Sequence, residues 1–325
     1  MIRFFNSLQP ATLFIIPFIV FLLWAQAFFI HPFAINDSES LLFIFIADFI
    51  KLVPDFIKVL IAMALITLEA IYLNNIFNRY EVLHKNSFLP ALMYTMLMSF
   101  ALPLLQFHPI LIINLVLLRA LDKIFMLFKN DFPIAPLFDA FFLISIASLI
   151  YYPATAFFVL FLISLAILRP FNLREWTISI IAYSLPFIFL SVYLFWTDHF
   201  IAGWKDLLKN FSPKHLDFGF AVAKPLLSFF ILTGFIILIS TRKLIQNFYK
   251  NTVRTRSYQQ ILFLYLIITI SASFFLKTIP FYYMTMLVIP LVVFLAYYFV
   301  TTKKRAWFAE LMLWGMLILI IWNHF

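Results

Sequence analysis

Apolar stretches long enough to cross a membrane recur from one end of the chain to the other, and this feature limits what the chain can fold into. They raise the apolar share of the 325 residues to 65% and leave only 11% charged residues. A soluble domain has roughly half apolar residues and roughly a quarter charged ones. Because one soluble fold cannot bury so much apolar surface, lipid must cover part of it.

We predict an all-α bundle of about eleven transmembrane helices that forms one integral-membrane domain over residues 1–325. The predicted spans cover residues 11–30, 56–77, 88–106, 109–128, 136–152, 153–168, 177–196, 220–240, 259–276, 280–300 and 307–323. The segment Ala25–Ala27 resembles a signal-peptidase site. The apolar run continues through Ile30 to full membrane width, so we predict a retained anchor.

Positive charge is distributed unevenly over the turns between these spans. With the N-terminus in the cytoplasm, every arginine and half of the lysines, sixteen of the 23 basic residues, fall on the cytoplasmic side. Cytoplasmic loops of multi-pass proteins are rich in Lys and Arg, so the pattern predicts this orientation. We interpret the net charge of +9 as loop charge that sets topology, and we expect no nucleic-acid partner. The absence of cysteine excludes disulfides, thiolate catalysis and thiolate-bound metals.

Residues 31–58 are predicted to form an outer acidic loop followed by an interfacial helix. The second half of this segment is apolar except for Asp48, Lys51, Asp55 and Lys58. Their spacings of three, four and three residues place them on one stripe of a helix. An apolar helix with one charged stripe is typical of the membrane interface.

Asp37 and Glu39 are the strongest pair of candidate catalytic residues in this acidic loop. Alternate residues of an extended segment face the same side, so both carboxylates can point into one pocket. They could bind a divalent cation through hard oxygen atoms, or supply a general base. The alternative is a structural role, in which Asp37, Ser38 or Ser40 caps a helix that starts near Leu41.

A second outer loop is predicted over residues 197–219. It carries the candidate substrate-binding residues Lys205, Lys209, His199 and His215. The two lysines could hold a lipid-linked phosphate, and the two histidines could orient it. Ordinary solvated loop residues are the alternative interpretation of all four.

Glu69 lies within the second predicted span. A charge at the bilayer centre costs roughly 2.5–3.5 kcal/mol on insertion scales, so an intramembrane acid is by default a candidate functional residue. The alternative is a glutamate that faces the bundle and bonds to a neighbouring helix. Arg119 and Asp122, three residues apart, are predicted to form a helical pair. No span carries histidines at metal-ligand spacing, so no metal site is predicted.

The first third of the chain resembles the C-type, multi-span glycosyltransferases, which take sugars from polyprenyl-phosphate donors at the outer face. The resemblance rests on the first span, the acidic loop and interfacial helix directly after it, and the hairpin-joined spans. It implies that Asp37 or Glu39 acts as base or binds metal. The chain has Asp37-Ser38-Glu39 where that group usually has Asp-Glu or Asp-x-Asp.

Two other segments, FFNSLQPATL at residues 4–13 and LRPFNLREW at residues 168–176, look like an uncharacterised family of bacterial inner-membrane proteins. That resemblance implies a multi-pass location in the bacterial inner membrane and implies no activity.

The sequence is compatible with three functions. The first is transfer of a sugar from a polyprenyl-phosphate lipid at the outer face. The second is a non-catalytic membrane subunit of an envelope assembly or secretion complex, with other membrane proteins as partners. The third is a lipid or solute transporter in which Glu69 couples transport to protons.

Overall fold

Helices dominate the fold. The structure, a computed structural model, describes residues 1–6, 11–29, 52–209, 217–218, 224–273, 278–279, 281–302 and 306–324. The α-helices are α1 (Ile2–Phe5), α2 (Ala11–Trp24), α3 (Asp55–Arg79), α4 (Leu89–Met98), α5 (Pro109–Phe125), α6 (Ile134–Ile150), α7 (Ala156–Leu168), α8 (Leu173–Trp196), α9 (Phe200–Lys209), α10 (Lys224–Asn247), α11 (Val253–Ser273), α12 (Val288–Thr301) and α13 (Ala306–His324). Short 3-10 helices cover Ala25–Phe28, Leu102–Leu104, Tyr152–Thr155, Phe248–Lys250 and Phe281–Leu287. Two short strands, β1 (Asp217–Phe218) and β2 (Thr278–Ile279), pair in parallel.

Five of the described helices are long and apolar enough to cross a membrane, which confirms the prediction of a helical membrane protein. They cover Asp55–Arg79, Leu173–Trp196, Lys224–Lys250, Phe281–Thr301 and Trp307–His324. The span over Phe281–Thr301 is 78% buried inside the protein, against 28% to 39% for the other four. This span is therefore the centre of the bundle, and the others present apolar side chains outward.

Local sequence sets where several helices begin. The Asn172 side-chain oxygen accepts a hydrogen bond from the Arg174 backbone N–H at 3.1 Å, which caps the start of α8. Pro109 opens α5 directly after His108, whose backbone is extended. After α3, the chain turns through Glu81 and His84, both with positive φ angles of 52° and 62°.

Helix α4 has only ten residues, and all of them are buried. It packs against α3 and α12, with α2 alongside. Just beyond its end, the Ser99 hydroxyl accepts a hydrogen bond from the Trp24 indole at 3.0 Å. The Ser99 carbonyl lies 2.8 Å from Nε2 of His324. The α4 helix is thus enclosed by protein on all sides.

Helix α9 (Phe200–Lys209) lies within the segment 197–219 that is predicted to be the second outer loop. Its residues Phe200 and Ile201 are exposed, whereas Trp204 packs against the end of α8. Gly203 allows this contact, because a Cβ atom at that position would lie 2.8 Å from Cδ1 of Leu194. An amphipathic helix packed across the end of a span is the arrangement expected at a membrane interface.

The last residues of the segment 31–58, predicted to be an acidic loop and an interfacial helix, belong to α3. Pro54 has extended backbone angles, and α3 begins immediately after it. Asp55 and Lys58 therefore form an ion pair of 2.8 Å in the first turn of the long α3 helix. Asp48 and Lys51 lie outside the described residues.

Candidate functional site

Glu69 is fully buried in the middle of α3, with none of its surface exposed. The Tyr94 hydroxyl, from α4, donates a hydrogen bond of 2.7 Å to its Oε2 atom. Its Oε1 atom has no hydrogen-bond partner in the part of the chain that the structure describes. A buried carboxyl oxygen normally has a partner, so this one is a position for a proton, a water or a bound polar group.

A second helix brings an amide to the same place. Asn114, on α5, is fully buried, and its Nδ2 atom donates to the Thr285 carbonyl at 3.2 Å. Its side chain also lies close to the Tyr94 hydroxyl. Its Oδ1 atom has no partner among the described residues. Buried polar groups from three helices thus converge around Tyr94.

Tyrosines continue this line of polar groups through the bundle. Tyr265, on α11, lies close to both Tyr94 and Tyr283, and its hydroxyl has no partner within the described ranges. The Tyr283 hydroxyl donates to the Thr269 carbonyl at 2.6 Å. The ring of Tyr151 follows, with its centroid 6.4 Å from that of Tyr283. We name Glu69, Tyr94, Asn114, Tyr265, Tyr283 and Tyr151 the polar seam.

His108 lies at the end of the bundle toward which the polar seam runs. It is 1% exposed, and its ring stacks on Tyr282 with centroids 5.6 Å apart. Tyr282 in turn lies close to Tyr151. Burial lowers the pKa of His108 to about 3, so the imidazole is neutral at physiological pH.

This shift predicts a pH-dependent stability. The folded-state pKa lies below the ordinary value of about 6.5, so the unfolded chain binds the proton first as the pH falls. Neutral His108 makes its full contribution to the free energy of unfolding above about pH 6.5. This contribution is lost progressively as the pH falls toward 3. Between pH 7 and pH 4.5, the free energy of unfolding of wild type should fall by about 2–3 kcal/mol more than that of His108→Phe. Thermal unfolding in detergent at each pH measures this difference in stability. His199→Phe, which replaces an exposed histidine, is the control and should behave like wild type.

Of the predicted outer-face site residues, the structure describes the side chains of His199 and Lys205. Asp37, Glu39 and His215 lie outside the described residues. His199 is exposed, and its Nδ1 atom contacts the Thr197 carbonyl two residues before it in the chain. Lys205 is exposed on α9, and Lys209 ends that helix.

The predicted pair of Arg119 and Asp122 is bridged by a tyrosine. Arg119 donates to the Tyr72 hydroxyl at 3.0 Å, and that hydroxyl donates to Asp122 at 2.8 Å. The Tyr80 hydroxyl adds a bond of 2.9 Å to the same carboxylate, and Arg79 lies 3.4 Å from it. Helical spacing predicted the charged pair, but it gave no sign of Tyr72 on α3 or of Tyr80 directly after that helix.

Among the described residues, no group of three or more His, Asp and Glu side chains is placed to hold a metal ion. The described candidate site is therefore the polar seam, with Glu69 as its ionisable group. Comparison with known proteins adds no family, because no family model, curated protein or solved structure matches the chain.

Proposed function

We propose that the protein is a multi-pass protein of the bacterial inner membrane, with eleven spans and a cytoplasmic N-terminus. Eleven described helices, α2 to α8 and α10 to α13, fit this number, with the short α4 counted as part of the predicted span 88–106. A hydrogen bond between helix ends fits spans that alternate in direction. The Tyr258 hydroxyl, near the start of α11, donates to the Phe125 carbonyl at the end of α5, at 2.9 Å. Arg254 and Arg256 lie at the same start of α11, which fits the cytoplasmic side.

Within that architecture, the protein transports a lipid or small solute, and Glu69 couples transport to protons. The single observation that carries this proposal is a fully buried carboxyl group with one oxygen unpaired among the described residues. Ionisable residues inside membrane spans are costly and typically mark proton or substrate paths. A purely structural glutamate would be expected to have both oxygens bonded.

The tyrosines of the polar seam supply the hydrogen-bonding groups that a proton-coupled transport site requires. A hydroxyl both donates and accepts hydrogen bonds, so a row of them can pass a proton or bind a polar solute. Among the described residues, Tyr94 is the one hydrogen-bond donor to the Glu69 side chain, so a rotation of the carboxyl group can bring it to other partners. Because the seam groups come from different helices, a shift of one helix would change which groups face Glu69.

Reconstituted full-length protein tests this role. Proteoliposomes with an imposed pH gradient are incubated with water-soluble and lipid extracts of the source cells, and their contents are identified by mass spectrometry. Wild type should accumulate at least one compound only when the gradient is present. Glu69→Gln, which keeps the shape but cannot exchange a proton, should fall to the level of empty liposomes.

Glu69→Asp is the matched control, because it shortens the side chain by one methylene and keeps the carboxyl group. It should retain part of the gradient-driven accumulation, with both variants unfolding near the wild-type temperature. Accumulation that persists in Glu69→Gln would exclude the coupling role. A wild-type protein that accumulates nothing would exclude transport itself.

The second candidate is a glycosyltransferase that uses a polyprenyl-phosphate sugar at the outer face. The amphipathic helix α9 favours it, since it presents Lys205 beside the exposed apolar residues Phe200 and Ile201. In this function Asp37 is the base or metal-binding acid, with a divalent cation as its cofactor and Glu39 as its neighbour.

Mass spectrometry of the gently purified protein separates the remaining candidates. Bound polyprenyl phosphate would favour the transferase. A stoichiometric protein partner would favour a non-catalytic subunit of an envelope assembly or secretion complex.

A further inference from the structure

The end of the bundle that carries the arginines has an excess of positive charge around one buried carboxylate. Asp122 is only 2% exposed, and the guanidinium groups of Arg79 and Arg119 both reach its hydrogen-bond network. Arg254 adds a third positive charge, with its guanidinium carbon 5.6 Å from the centroid of the Tyr80 ring. Three guanidinium groups against one carboxylate leave the site with a net charge of about +2.

Nearby acids do not neutralise this excess. Asp139 is close enough to Arg119 to interact with it electrostatically, but it forms its own ion pair with Lys123 at 2.7 Å. Within the described ranges, Arg79 bonds to Asp122 and lies close to the Tyr80 hydroxyl, and Arg119 bonds to Tyr72. A guanidinium group has five N–H donors, so both arginines retain donors that an outside anion can use.

Each of the two arginines also lies at the end of an apolar surface on its own helix, α3 or α5, that faces outward. On α3, Leu68 is 56% exposed and lies on the same side as Arg79, eleven residues or three turns further along. On α5, the partly buried Val116 lies one turn before the exposed Arg119. Helices α3 and α5 pack against each other, so these surfaces lie side by side.

We propose that Arg79 and Arg119 bind the phosphate of an anionic phospholipid, whose acyl chains lie along Leu68 and Val116. Guanidinium groups match phosphate oxygens in a two-bond geometry, and basic sites between spans bind such headgroups on the cytoplasmic side. The apolar surfaces are what select a lipid over a free anion. This site is separate from Glu69, so it does not depend on the proposed transport function.

Thermal unfolding of the full chain in detergent tests the site with three added probes: phosphatidylglycerol, phosphatidylcholine and inorganic phosphate. Phosphatidylglycerol should raise the unfolding temperature of wild type, and the other two should not. The rise should shrink by at least half in Arg119→Gln and vanish when Arg79→Gln is added. Arg119→Gln removes a single bond of an exposed side chain, so it tests the site even if the double variant folds poorly.

The matched control is the double variant Lys129→Gln and Arg174→Gln. It removes two exposed positive charges from the same end of the bundle, away from Asp122. It should keep the full response to phosphatidylglycerol. An equal response in all variants, no response in wild type, or an equal rise with inorganic phosphate or phosphatidylcholine would each overturn the proposal.

Discussion

Arg169→Ala is expected to lower the free energy of unfolding by about 3 kcal/mol or more. The Arg169 Nε atom lies 3.2 and 3.0 Å from the two carboxylate oxygens of Glu175, which is only 5% exposed. Its Nη1 atom bonds to the carbonyls of Leu127 and Asn130 at 3.2 and 2.6 Å. Removing the guanidinium leaves a buried carboxylate and two carbonyls without their partner, which is more costly than losing a surface ion pair.

Arg174→Ala is the control for this prediction, because it removes the same side chain from an exposed position five residues further along, in the first turn of α8. It should change the unfolding free energy by less than about 0.5 kcal/mol. Equilibrium unfolding in mixed micelles compares the two variants with wild type. Equal losses in both would show that Arg169 acts only as general positive charge.

Asp122→Ala is expected to cost about 3–5 kcal/mol, because its carboxylate joins α3 to α5 through three side chains. The Tyr72 and Tyr80 hydroxyls both donate to it, and Arg79 compensates its charge. Without the carboxylate, the buried Tyr80 hydroxyl keeps only the carbonyl of residue 122, at 3.2 Å. Asp122→Asn should cost less, since its amide oxygen still accepts one tyrosine bond.

A second acid in the same region provides the comparison. Asp139 also forms an ion pair, with Lys123, but its side chain is 47% exposed. Asp139→Ala should cost less than about 1 kcal/mol, because solvent screens an exposed pair. Unfolding by heat in detergent, with helix content followed by circular dichroism, measures both variants. A larger loss for Asp139→Ala would contradict the assignment of Asp122 as the main link.

The positions of the helices could be predicted because apolar runs and their breaks are visible in the sequence. The predicted span at 56–77 became α3 (Asp55–Arg79), and the one at 177–196 became α8 (Leu173–Trp196). The predicted span at 88–106 was less accurate, since α4 ends at Met98. Hydropathy cannot distinguish an apolar residue that faces lipid from one that packs against protein, so the enclosed position of α4 was not visible.

The candidate site was only partly predictable for a related reason. Glu69 stood out because a charged residue within an apolar run is conspicuous. Tyr94, Tyr265 and Tyr283 did not, because a tyrosine in a span resembles any other large side chain until its neighbours are known. The convergence of these groups depends on residues far apart in the chain, such as Asn114 and Thr285, and no local pattern carries that information.

The enclosed α4 helix has a consequence for how the protein is made. Ten residues rise about 15 Å, roughly half the thickness of the hydrocarbon core, so α4 cannot cross the bilayer alone. Its packing partner α12 is synthesised nearly two hundred residues later. The ribosome therefore completes most of the chain before α4 has its final neighbours. Until then α4 lacks the α12 side chains that cover it, so a chain truncated before Val288 leaves part of the α4 surface unpacked.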